Sequence, residues 1–166
     1  SSGGPHGSHP PPDSYFAYGS NMDPARVRQR GLNVRRAEPA RLDGFDLEFR
    51  KRGHEHPRAG HANIAWARGQ RVEGVLYTLE CPEEIRKMDR FERAPVNYSR
   101  DIVVVETDAG PRAAWTYFAN PAVLADGLLP PRAYLDHLRA GAAFLSAAWL
   151  MRLETWPCLE SSAGER

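Results

Sequence analysis

Tyr15-Phe16-Ala17-Tyr18-Gly19-Ser20-Asn21-Met22-Asp23-Pro24 is the stretch on which the fold turns. Its first four residues are apolar and rich in aromatics, which suits a short buried strand. Gly19-Ser20-Asn21 then interrupts the run as a turn. Asp23 offers an N-cap and Pro24 the first helical position, so a helix is expected to about Arg30, closed by Gly31. A buried strand thus delivers a tight turn to a helix start.

Downstream, residues 40–49 read as a second strand, with Leu42, Phe45, Leu47 and Phe49 as its apolar members. The charged, Gly- and His-rich residues 50–61 read as an exposed loop. Residues 62–66 and 72–79 read as two strands about an Arg68-Gly69-Gln70 turn. Pro82-Glu83-Glu84 opens another helix, with its acidic residues suited to the dipole. Residues 100–107 and 112–118 pair as a second hairpin, and Pro130-Pro131 starts a helical stretch to about Leu153, with Tyr134, Leu135, Leu138 and Phe144 inward. About six strands and three to four helices without regular alternation indicate an α+β fold: a mixed, barrel-like sheet with helices outside it. Residues 14–158 form one domain. Residues 1–13 read as a disordered segment, in part resembling residues added for expression, and 159–166 as a flexible tail.

A chain of 166 residues buries roughly two-thirds of its unfolded surface, enough for a core without metal or disulfides. With 22 Lys and Arg against 21 Asp and Glu, the net charge is +1. That balance disfavours a nucleic-acid partner, and only Arg26, Arg28, Arg30, Arg35 and Arg36 gather at all. Two cysteines, Cys81 and Cys158, make no framework and point to a reducing, cytoplasmic setting. No run of 18 apolar residues exists, so no membrane helix is expected.

Two places can carry chemistry. A Gly-bearing turn lets a ligand approach the backbone, and its amides, with the helix start, favour an anion; Ser20 and Asn21 add side-chain donors. An ordinary strand-to-helix turn remains the alternative. In the helix from Pro82, Ile85, Met88 and Glu92 share one face, opposite Glu83, Arg86, Lys87 and Arg90. Glu92 is therefore expected to point inward near the helix C-terminus, where burial and the dipole both raise a carboxyl pKa, as a general base requires. A buried Glu paired with Arg93 or Arg100 is the alternative. His54-Glu55-His56 lacks a third ligand at metal spacing, and His61 reads as a loop or strand-edge residue. Cys81 has no His and Asn pattern beside it, and Ser20 has no identifiable His–Asp pair.

The run Tyr15 to Met22 resembles the signature of the γ-glutamylcyclotransferase superfamily. Asn63-Ile64 after His61, and Val72-Glu73-Gly74-Val75-Leu76-Tyr77, resemble its second and third core strands. Met88-Asp89-Arg90-Phe91-Glu92 is similar to its Leu-Asp-x-x-Glu helix end, followed by Tyr98; Tyr117 sits where the family has a substrate-site tyrosine. The resemblance spans residues 14–120. It implies a small mixed barrel whose mouth holds a γ-glutamyl compound. The substrate's α-amine attacks its own γ-carbonyl, releasing 5-oxoproline and an amine or amino acid, with no metal and no cofactor. Glu92 becomes the general acid/base, and Tyr18, Gly19, Ser20 and Asn21 the cradle. Tyr98 and Tyr117 line the cavity. No nucleic acid or membrane partner is implied, and a monomer or homodimer is expected. Where relatives carry Gly after the catalytic Glu, this chain has Arg93. Asn21-Met22 favours the branch acting on γ-glutamyl amino acids. The competing expectation is a non-catalytic module that binds a small carboxylate in the same cavity.

Overall fold

The computed structural model describes residues 10–160. Five strands close into a barrel in the order β1-β3-β2-β4-β5: β1 Ser14–Ala17, β2 Val34–Arg52, β3 Gly60–Leu79, β4 Tyr98–Thr107 and β5 Gly110–Ala119. Neighbours are antiparallel except at the closure, where β1 runs parallel to β5 and Tyr15 faces Trp115. The helices are α1 Pro24–Gln29, α2 Ile85–Glu92, α3 Arg132–Arg139 and α4 Ala147–Glu154. All four residues of β1 are buried, as expected for a strand paired on both edges and covered on both faces.

β2 and β3 form one long hairpin joined by residues 53–59. The two strands expected at 62–66 and 72–79 are halves of β3, so the barrel has five strands rather than about six. The expected turn at 68–70 is a bulge. Trp66 pairs with Phe45 and Arg71 with Asp43, leaving β3 three residues longer than β2 across the irregularity. Gly44 and Gly69 sit at it with φ of 86° and 80°. The bulge also explains a change of parity in β2. Ala40 and Leu42 are buried before Gly44, and Leu47 and Phe49 after it; an odd shift keeps both halves facing the core despite the two-residue period.

Helix α1 begins as its sequence indicates, with the Asp23 carboxylate accepting from the Ala25 amide at 3.0 Å. Helix α2 follows a 3-10 turn at Pro82–Glu84 and buries Ile85 and Met88. The expected helix over 130–153 is divided into α3 and α4, because the chain turns where Gly141 packs on Met22. A Cβ there would come within 2.8 Å of the Met22 Cβ. Ser146 then caps α4, accepting from Trp149 N. Leu135, Leu138, Trp149 and Leu153 are buried, with Tyr134 and Phe144 packed at the core's edge.

Hydrogen bonds hold both ends of the described chain. Pro12 accepts from the Trp115 indole at 2.9 Å and Asp13 from the Leu79 amide at 2.7 Å, so the chain is pinned before residue 14. Leu159, assigned to the tail, donates to Pro130 O at 2.8 Å, and Glu160 pairs with Arg132. Residues 1–9 and 161–166, the rest of the expected disordered segment and tail, lie outside the described residues.

Gly74 permits the contact that sets the end of β1. A Cβ there would lie 2.3 Å from Ala17 O and 2.8 Å from the Phe16 ring. Gly74→Ala is expected to destabilise by about 1–3 kcal/mol through overpacking and to disturb the turn at 19–21. Gly69→Ala, with open space around it, should cost only the left-handed backbone penalty of about 1 kcal/mol. Chemical denaturation of the two variants checks the order.

Candidate active site

The turn after β1, the ends of α1 and α2, the paired ends of β2 and β3, and α3 enclose a cavity of about 950 Å³. The positions singled out in the sequence, Tyr18, Gly19, Ser20, Asn21, Glu92, Tyr98 and Tyr117, all line it. Ligand pockets commonly have this size.

Asn21 organises the floor. It is 3% exposed, and its Nδ2 donates to Glu92 Oε1 and to Tyr15 Oη, both at 2.9 Å. Its Oδ1 accepts from the Arg30 guanidinium at 3.1 Å, and its backbone carbonyl accepts from Tyr77 Oη at 2.6 Å. With both amide hydrogens and the carbonyl engaged, the side chain holds Glu92 instead of being a free donor for a ligand. The Asn21 and Ser20 amides open the 3-10 turn Ser20–Met22, and the first amides of such a turn lack partners within it. Gly19 has a negative φ of −115°, so positive φ is not the reason for glycine. A Cβ would lie 3.0 Å from Ala62 Cβ and 3.3 Å from Tyr134 Oη; the close approach of β3 and α3 is.

Glu92 ends the apolar face of α2, four residues after fully buried Met88. Burial raises its pKa above the ordinary carboxylate range, against the opposing pull of Arg30, the Asn21 hydrogen bond and Lys51. Neither Arg proposed as its partner takes it. Arg100 Nε instead meets Asp89 Oδ1 at 2.8 Å, and Arg93, at the left-handed φ of 52° just after α2, makes no ion pair among the described residues.

The tyrosine hydroxyls are anchored to the frame. Tyr18 donates to Tyr117 O at 2.6 Å, Tyr98 to Ala62 O at 2.8 Å and Tyr117 to Asp89 Oδ1 at 2.6 Å. Tyr134 Oη accepts from the Ala62 amide at 2.9 Å, and burial pushes its pKa up to about 12. Protonated phenols that brace the wall suit binding surfaces better than proton transfer.

Sequence reading missed Tyr15, Arg30, Lys51 and Tyr134. Arg26 and Arg30 lie four apart on α1, a spacing that puts them on one face; this was the available signal. Nothing local marks Tyr134, which reaches the site from more than 100 residues downstream of the turn. His61 lies on β3, its ring stacked on Tyr134 at 4.4 Å, and its Nε2 bonds Glu55 at 2.9 Å. Burial lowers its pKa, although Glu55 opposes this. No group of three or more His, Cys, Asp or Glu among the described residues is arranged to hold a metal. Both cysteines are free thiols, Cys81 exposed and Cys158 half-buried, and no described helix is long and apolar enough to cross a membrane.

Three solved structures are similar over most of this chain. One described as a gamma-glutamyl cyclotransferase has a TM-score of 0.76 at 23% identity, covering 92% of this chain and 91% of its own. An uncharacterized human protein has a TM-score of 0.76 at 23% identity, over 90% of each chain. YkqA from Bacillus subtilis has 0.75 at 23% identity, over 89% of this chain but 56% of its own. At such identities the likeness is one of fold. Among curated protein sequences, none matches. The family described as gamma-glutamyl cyclotransferase, AIG2-like, matches residues 15–136. That match runs from β1 into α3 and includes both the turn and Glu92, so the chain belongs to the gamma-glutamyl cyclotransferase, AIG2-like family.

Proposed function

We propose that the protein is a γ-glutamylcyclotransferase in which Glu92 shuttles the proton. The observation that carries this reading is the half-buried Glu92 carboxyl, held 2.9 Å from Asn21 of the Gly-Ser-Asn turn inside the cavity. A carboxylate of raised pKa is a competent base nearer neutrality. It removes a proton from the substrate's α-ammonium. The freed amine then attacks the γ-carbonyl carbon, closing a five-membered ring. The oxygen becomes an oxyanion, for which the turn amides at 19–21 are the available donors. Collapse breaks the old amide bond. The ring nitrogen gives up its extra proton, the leaving nitrogen takes up protons by way of Glu92, and 5-oxoproline and an ammonium product depart with Glu92 again ionised. The amine and carbonyl belong to one molecule, so folding the substrate against the tyrosine wall supplies much of the rate through proximity. The free thiols at Cys81 and Cys158 suit a cytoplasmic setting.

Glu92→Gln keeps the size and the acceptor oxygen but cannot exchange protons. Release of 5-oxoproline should fall by about 10²–10⁴-fold, with the circular dichroism spectrum unchanged. Wild-type kcat should rise with pH through a value above the usual carboxylate range. No 5-oxoproline from any γ-glutamyl amino acid or amine would end the reading. The alternative, a non-catalytic carboxylate-binding module, draws on exposed Arg93 beside Glu92; thermal stabilisation by 5-oxoproline without turnover would select it.

The same substitution reports on burial. The folded Glu92 carboxyl keeps its proton to higher pH than the unfolded one. Its favourable contribution to folding is therefore complete below the unfolded pKa and is lost as pH rises through the folded value. Glu92→Gln should melt above wild type near neutral pH, with the gap closing towards about pH 4. Asn21→Ala should instead lower kcat by about 10²-fold, because Glu92 loses its positioning.

A further inference from the structure

Resting on the cyclotransferase reading, the charge around the cavity bears on which amine departs. Five cations line it: Arg26 and Arg30 from α1, Lys51 and Arg52 at the end of β2, and Arg93 after α2. None of the five is within 4 Å of a carboxylate among the described residues. Elsewhere most Arg and Lys side chains close such pairs, Arg35 with Glu80, Arg71 with Asp43 and Arg152 with Asp46 among them. Unpaired cations are thus concentrated at the cavity on a protein whose net charge is only +1.

The lining carboxylates are Glu55, Glu92 and Glu160. Glu160 is already engaged by Arg132, and Glu55 by His61. The five cations therefore outnumber the lining carboxylates by at least two. The γ-glutamyl end of a substrate does not neutralise this excess, because that end carries one ammonium and one carboxylate. The balance has to come from the departing half. Lys51 is the best placed cation for it: half-buried, with its Nζ over the Tyr98 ring at 5.8 Å, and flanked in the cavity wall by exposed Arg52 and Arg93.

We infer that the preferred substrate is a γ-glutamyl amide whose leaving amine carries two negative charges, held by Lys51 and Arg93. A dicarboxylic amino acid and a phosphorylated amine share that chemistry. A cleft lined by one sign of charge selects for it in binding and in capture rate.

The test is a charge ladder at fixed γ-glutamyl group: γ-glutamyl-propylamine (neutral leaving part), γ-glutamyl-glutamine (one charge), and γ-glutamyl-glutamate and γ-glutamyl-phosphoethanolamine (two). Wild-type kcat/KM for 5-oxoproline release should favour γ-glutamyl-glutamate over near-isosteric γ-glutamyl-glutamine by about tenfold, the size of a few partly exposed charge contacts. The ratio should shrink as salt is raised and collapse towards one in the Lys51→Met, Arg93→Gly double variant. The better of the two dianions identifies the source of the charge. Equal turnover along the ladder, or a preference that survives the double variant, overturns the inference and leaves the cyclotransferase reading standing. Absence of product from every rung removes that reading and this one with it.

Discussion

The hydrogen bond from Asn21 to Glu92 joins the two parts on which the rest depends. One partner sits in the turn that ends β1; the other ends α2, 71 residues later. Each is fixed independently of the bond. Asn21 is tied through its carbonyl to Tyr77 of β3, and α2 is tied to β4 and β5 by Asp89, which accepts from both Arg100 and Tyr117. The barrel closure between β1 and β5 therefore sets how far the carboxyl stands from the turn. Buried polar networks are worth having only when each member is satisfied, and here the Asn21 side chain meets that condition on every atom able to bond.

The tyrosines show how the wall can be polar in composition and inert in chemistry. Tyr18, Tyr98 and Tyr117 spend their hydroxyls on backbone carbonyls or on Asp89, and Tyr134 accepts an amide. Their rings remain as the cavity's surface. Tyr15 and Tyr117 meet edge to face at 5.8 Å, and Tyr134 stacks flat on His61. Such a lining offers apolar contact and shape, and in the proposed reaction it leaves proton exchange to Glu92.

Much of this was legible locally. The β1 run, the Asp23-Pro24 helix start, the α2 face with Ile85 and Met88, and the second hairpin are each decided by residues close in sequence, and the structure has them where periodicity and capping put them. The errors share a physical origin. A Gly within Arg68-Gly69-Gln70 signals positive φ, which a hairpin turn and a bulge both use, and only the pairing partner distinguishes them. Gly141 divides the last helical stretch because it meets Met22, a contact 119 residues away in sequence. Lys51 and Tyr134 enter the site through the packing of distant parts of the chain, and no local pattern records that; Arg30, nine residues after Asn21, had only its spacing from Arg26 to mark it.

The relation of Arg30 to Glu92 reconciles two demands that conflict elsewhere. A cavity for anions needs cations, yet an Arg in direct contact with a carboxylate lowers its pKa by about 1–3 units, which would remove the basicity the proposed reaction requires. Arg30 meets Asn21 Oδ1 instead, and Asn21 Nδ2 meets Glu92. The amide transmits position while keeping the guanidinium one side chain away, and desolvation remains the dominant influence on the carboxyl. Among the described residues Arg30 pairs with no carboxylate, and its guanidinium lies over the Phe91 ring at 4.7 Å. Arg93 follows the same division of labour at a cost to the backbone. It occupies the left-handed conformation that favours glycine, and in return places a cation at the cavity wall immediately after the carboxyl, with no ion pair between the two.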